Sequence, residues 1–115
     1  MAGKHDKIKD KDRFSILVPS LDRCCLCGST DRVALHEVFH GPFRDKSKED
    51  GMVVPLCGPH HNLGTFSVHN CDELDRKLKQ NAEKVWIEKY TDNTLEYEDR
   101  VKLFINRYGK NYIDY

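Results

Sequence analysis

Two short Cys/His turns, about thirty residues apart, constrain this chain more than anything else in it. Cys24-x-x-Cys27 runs into Gly28, and Cys57-Gly58-Pro59-His60 repeats the same internal spacing. Two intervening residues let a tight turn aim both donors at one point. Three thiolates and one imidazole then make the tetrahedral donor set that zinc prefers. Either half alone is a weak signal, while two halves with matched spacing are a strong one. Cys24, Cys27, Cys57 and His60 are therefore read as a structural zinc site. Cys25 could replace Cys24, but the single residue between it and Cys27 is a poor spacing for sharing an ion. Cys71 has no partner in sequence and is expected to be a small buried residue.

Composition explains why such a site would be needed. The chain has 115 residues, of which 38% are hydrophobic and 33% charged, so a single domain with a lean core is expected. A domain of this size buries about two-thirds of its unfolded surface, and structural zinc contributes ~10 kcal/mol or more to the folding of small domains. Lys+Arg and Asp+Glu number 19 each. That balance argues against a uniformly basic, histone-like binder but leaves local basic patches open. No apolar run approaches the ~18 residues of a membrane span, so no membrane partner is expected. The charged N-terminus does not read as a secretory signal. The expected location is cytoplasmic, a reducing compartment in which paired cysteines read as metal ligands, and the odd count of five Cys agrees.

Residues 1–13 alternate Lys and Asp and are expected to form a disordered charged arm, with a single domain over 14–115. Phe14, Ile16, Leu17 and Val18 make a short apolar run, an edge strand or an anchor for the arm. The β-branched and aromatic run Val33 to Phe39 predicts one strand, and Met52 to Leu56 a second. A charged loop containing Arg44, Lys46 and Lys48 would join them into a hairpin. Pro59 to Leu63 reads as a helical turn or two, interrupted by Gly64. Asp72 is a good N-cap for a helix carrying Leu74, Leu78, Ala82, Val85 and Trp86 and running to about Tyr90. Leu95, Val101, Phe104 and Ile105 predict a last helix ending near Gly109. The fold class is α+β.

Five of the six histidines lie between His36 and His69. With His60 assigned to zinc, His36, His40, His61 and His69 remain, and a four-ligand structural site has no use for them. The order is Cys-x-x-Cys, a strand carrying Leu35-His36-Glu37, a loop, Val54-Pro55-Leu56-Cys57-x-x-His60-His61, then Val68-His69. It resembles the HNH nuclease superfamily with its ββα-metal finger. The similarity is greater still to small phage-encoded HNH proteins. It extends through Glu73-Leu74-Asp75-Arg76-Lys77-Leu78-Lys79 and Phe104-Ile105 to Gly109-Lys110-Asn111-Tyr112, covering about Arg23 to Tyr112.

The resemblance implies a zinc-stabilised ββα-metal finger, a two-stranded hairpin plus a short helix, followed by two C-terminal helices. It implies a metal-dependent DNA endonuclease or nickase, phage-encoded and serving recombination or repair. A divalent ion such as Mg²⁺, Mn²⁺, Ni²⁺ or Zn²⁺ would stabilise charge on the leaving 3′ oxygen, and a general base would take a proton from water. By position His36 and His61 match metal ligands and Glu37 the base. His36 or His40 remains an alternative base, since on a regular strand those two share a face while Glu37 points away. The middle Asn of the family falls at Met52. His69, eight positions past His61, can share the ion only if Gly64 ends the helix and the chain curls back, as is expected here. Arg44, Lys46 and Lys48 would neutralise DNA phosphates, or be ordinary solvated charge. The alternative function is a zinc-stabilised nucleic-acid-binding module without catalysis.

Overall fold

The computed structural model describes residues 12–64 and 67–113. The charged arm therefore lies outside the described residues up to position 11. The architecture is α+β. Apolar and β-branched residues form β1 (Ala34–Glu37) and β2 (Val53–Leu56), which pair antiparallel with Leu35 opposite Pro55 and His36 opposite Val54. Both strands are shorter than the apolar runs that predict them. One further ladder bond, from the Val38 N–H to the Met52 carbonyl at 2.9 Å, extends the pairing before the chain turns at Gly41-Pro42.

All four residues of β2 are buried. Part of the reason is the N-terminal segment, stitched alongside by Ile16 N–H to Gly51 O at 3.0 Å and Cys25 N–H to Pro55 O at 2.9 Å. Phe14 to Val18 thus forms no strand and acts as the anchor. The Phe14 ring lies so close to Gly51 (φ +73°) that a Cβ there would stand 2.6 Å from it. Only glycine suits both the dihedral and the space.

The segment joining the strands corrects the sequence reading. Arg44, Lys46 and Lys48 lie on a helix, α1 (Arg44–Asp50), preceded by a 3-10 turn over Gly41–Phe43. Its sequence, RDKSKED, has no apolar stripe, so periodicity could not reveal it. What it buries is polar: Ser47 and Asp50. The Ser47 hydroxyl donates to the Phe39 carbonyl at 2.6 Å and accepts the Phe39 N–H at 3.1 Å. Asp50 accepts Trp86 Nε1 at 2.8 Å, the Tyr108 hydroxyl at 2.7 Å and two Arg107 nitrogens at 2.6 and 2.8 Å. One carboxylate thus ties α1 to both C-terminal helices.

Those helices are α2 (Asp72–Tyr90) and α3 (Tyr97–Tyr108), with Gly109 in the left-handed conformation ending α3. Asp72 is the first helical residue of α2 and not its cap. Cys71, expected as a small buried residue, occupies the cap position half-buried and without a side-chain capping bond. Asp72, Glu73 and Asp75 set negative charge against the positive end of the helix. Arg100 closes the other end, donating to the Ile87 carbonyl at 3.2 Å. The core joins Phe39, Met52 and Leu56 of the hairpin region to Ala82, Trp86, Ile87, Val101, Phe104 and Tyr108. Phe39 meets Tyr108 with ring centroids 4.4 Å apart and Phe104 at 5.3 Å. No helix among the described residues is long and apolar enough to cross a membrane.

Candidate metal centres

The first cluster is the Cys₃His set. Gly28 (φ +79°) turns the chain so that its N–H reaches the Cys24 carbonyl at 2.8 Å, closing a loop from which Cys24 and Cys27 project. The second half begins at Cys57, directly after β2, where the Cys57 carbonyl accepts the N–H groups of His60 (3.1 Å) and His61 (2.9 Å). Across the halves, Cys27 Sγ lies 3.7 Å from Cys57 Sγ, and His60 Nδ1 lies 3.3 Å from Cys57 Sγ and 3.6 Å from Cys24 Sγ. Zn–S bonds of ~2.3 Å place tetrahedral neighbours ~3.8 Å apart, so the separations fit one zinc ion. They are far beyond the ~2.05 Å of a disulfide. Cys25 stays outside the group and uses its backbone on β2, which decides between it and Cys24. Burial raises the Cys24 thiol, but the N–H groups of Cys57, Leu26 and Cys27 more than offset it and hold the thiol at about 6. A thiolate is the form that ligates zinc.

The second cluster is histidine alone. Pro59–Leu63 forms a single wide helical turn of the π type, closed by the Gly64 N–H on the Pro59 carbonyl at 3.1 Å. Gly64 then takes an extended conformation. The returning chain lies against the turn, with Val68 N–H on His60 O at 2.8 Å and His69 N–H on His61 O at 3.4 Å. His69 therefore curls back as expected. Neighbouring residues on this turn project in different directions, so His60 meets Cys24 and Cys57 while the His61 ring lies 5.5 Å from that of His36 on β1. One turn serves both clusters.

Donor atoms of His36, His61 and His69 lie within 4.8 Å of one another, and the Nε2 atoms of His61 and His69 are 3.2 Å apart. Zn–N bonds of ~2.0–2.1 Å place tetrahedral neighbours ~3.4 Å apart, so this spacing also suits a shared ion. His36 is 4% exposed, yet its Nε2 has no hydrogen-bond partner among the described residues. A buried imidazole nitrogen left without a partner is costly unless something else occupies its lone pair. Burial, reinforced by repulsion from His61, His69 and His40, pushes His36 down to about 3. Burial and then His69 lower His61 too. Both rings are therefore neutral near pH 7, as ligation requires.

His40 stands at the edge of this group, its ring centroid 5.9 Å from His36 and 6.3 Å from His69. Its Nε2 lies 3.5 Å from Asp75 Oδ1 on α2, a neighbour the sequence reading did not anticipate, because nothing local links residues 40 and 75. Glu37 is engaged by Arg13 at 3.0 Å and Arg44 at 3.4 Å. Lys46 donates to the Arg107 carbonyl at 3.1 Å, and Lys48 sits in the last turn of α1, where a cation complements the helix end. The structure thus unites the four histidines, while Arg44 and Lys46 are bonded within the protein. Met52, 0% exposed in the core, offers the site no hydrogen bond. Comparison with family models, curated proteins and solved structures finds no match.

Proposed function

We propose that this protein is a metal-dependent phosphodiesterase of the ββα-metal type, a DNA endonuclease or nickase. The observation that carries the reading is that His36, buried on β1 with no hydrogen-bond partner for its Nε2 among the described residues, brings a ligand atom within 4.8 Å of those of His61 and His69 from a different element. Three imidazoles leave coordination positions open, unlike the closed Cys₃His set beside them, and open positions are what a hydrolytic site needs. The residues fit a divalent ion, which when bound would offset negative charge developing on the phosphate and its leaving 3′ oxygen.

The protein's own side chains have the remaining work. His36, on β1, is held rigid by strand pairing, and His61 and His69 by the closed turn. His40 is the base of this reading: its ring borders the cluster, whereas Glu37 is committed to Arg13 and Arg44. A proton passes from water to His40, the water oxygen bonds to phosphorus, and the bond from phosphorus to the 3′ oxygen breaks. Arg44, 59% exposed at its side chain, is the most exposed of the three α1 cations and the one placed to meet a flanking phosphate.

Plasmid incubated with Mg²⁺, Mn²⁺ or Ni²⁺ tests the reading against His36→Ala and His61→Ala. Nicking by the wild type should fall at least about a hundredfold in both variants, the scale of losing a charge-stabilising group. Equal residual nicking in wild type and variants would sink the assignment. DNA binding without cleavage would favour the non-catalytic module instead, the reading to which the buried Met52 lends weight.

A further inference from the structure

Asp75 occupies the first turn of α2, and its two carboxylate oxygens serve different partners. Oδ1 lies 3.5 Å from His40 Nε2, and Oδ2 lies 2.8 Å from Lys79 Nζ. A pair between residues four apart on a helix is ordinary and worth little. This one is set apart by what braces it. Lys79 is 14% exposed at its side chain and stands over the Tyr112 ring, 5.5 Å from its centroid. Tyr112 is clipped to α2 by its backbone, its N–H on Glu83 Oε1 at 2.7 Å and its carbonyl on Gln80 Nε2 at 3.0 Å. The C-terminal segment therefore holds Lys79, and Lys79 holds the carboxylate at the edge of the histidine group.

His40 has left the ladder of β1 and sits at a bend, 40% exposed at its side chain. Its ring needs an external partner to fix its orientation, and a carboxylate at one nitrogen fixes both rotation and tautomer. We propose that Asp75 is the positioning residue for His40, accepting its Nε2–H and leaving Nδ1 as the atom that receives the proton of water. The inference rests on the phosphodiesterase reading for its catalytic consequence, though the proposed Asp75–His40 bond can be sought without it. Distances of this kind commonly shorten once substrate is in place.

The test compares wild type, Asp75→Asn, Asp75→Glu, His40→Ala and the Asp75→Asn/His40→Ala double variant, all zinc-loaded. Asp75→Asn should lower kcat for plasmid nicking about tenfold or more, with KM changed less than about twofold. Asp75→Glu should recover most of the loss. In the His40→Ala background, Asp75→Asn should add nothing, because residues that act through each other are not additive. Nickel affinity by calorimetry should be unchanged, and the His40 Nε2–H proton resonance should vanish in Asp75→Asn but persist in Asp75→Glu. An Asp75→Asn variant with wild-type kcat, weakened nickel binding, or an unaltered His40 resonance would overturn the proposal. If the wild type cleaves nothing, the nuclease reading and the catalytic role fall together, and the resonance alone reports whether the bond exists.

Discussion

A carboxyl group sealed under the C-terminal segment sets one pH response of this protein. Glu83 is fully buried; Oε1 accepts the Tyr112 N–H while Oε2 has no hydrogen-bond partner among the described residues. Burial, opposed only in part by that N–H, pushes its carboxyl up to about 7, and the Tyr97 hydroxyl on α3 is raised by burial first and by Glu83 second. A folded-state affinity above the unfolded value of 4.5 means the folded protein binds the extra proton. The stabilisation is complete below the unfolded value and is lost as pH rises through the folded one. Glu83→Gln should therefore match the wild type at the acid end of that interval and exceed it above the interval. The expected gain is roughly 1–3 kcal/mol, the cost of ionising the carboxyl in its buried position, which Gln never bears. Urea melts of the zinc-loaded proteins across that range would measure it, and parallel stability profiles would contradict the assignment.

Among the elements, the turn Pro59–Leu63 carries the most weight per residue, since it divides adjacent histidines between two candidate metal clusters. Its closure depends on Gly64. A Cβ there would lie 2.6 Å from the Pro59 carbonyl oxygen that accepts the Gly64 N–H, so the backbone would have to move. Gly64→Ala removes no ligand but should displace His69. Nickel affinity at the histidine group should drop about 10–100-fold, the range found when the supports of metal ligands are altered, while zinc in the Cys₃His set stays bound. Calorimetry with nickel and elemental analysis for zinc would separate the two effects. The element that sequence reading missed, α1, shows the opposite situation. It buries Ser47 and Asp50 in place of apolar residues, so only its partners Phe39, Trp86, Arg107 and Tyr108 reveal why it is helical.

At the scale of the whole molecule, the Cys₃His cluster joins the N-terminal segment, the end of β2 and the turn that presents His61. Stripping zinc with a strong chelator should remove about 10 kcal/mol of folding free energy, comparable to the whole stability of a single domain, and abolish the cooperative thermal transition seen by calorimetry or circular dichroism. A demetallated protein that kept its full transition would show that the aromatic core around Phe39, Phe104 and Tyr108 suffices. Because the same turn supports the histidine group, nickel binding there should be lost together with zinc.

Spacing alone picked out the candidate ligands of the sulfur-rich cluster, the existence of the hairpin, the two C-terminal helices and the return of the chain at Gly64. Each is a local matter: donors two residues apart, apolar residues at a regular period, a glycine where a side chain would collide. Tertiary structure decided the rest. Spacing preferred Cys24 to Cys25, and the position of β2, whose Pro55 carbonyl accepts the Cys25 N–H, leaves Cys25 outside the group. Placing Asp75 beside His40 and Lys79 beneath Tyr112 required α2 to dock where it does. Those contacts join residues thirty or more positions apart, and their geometry exists only after the core has packed.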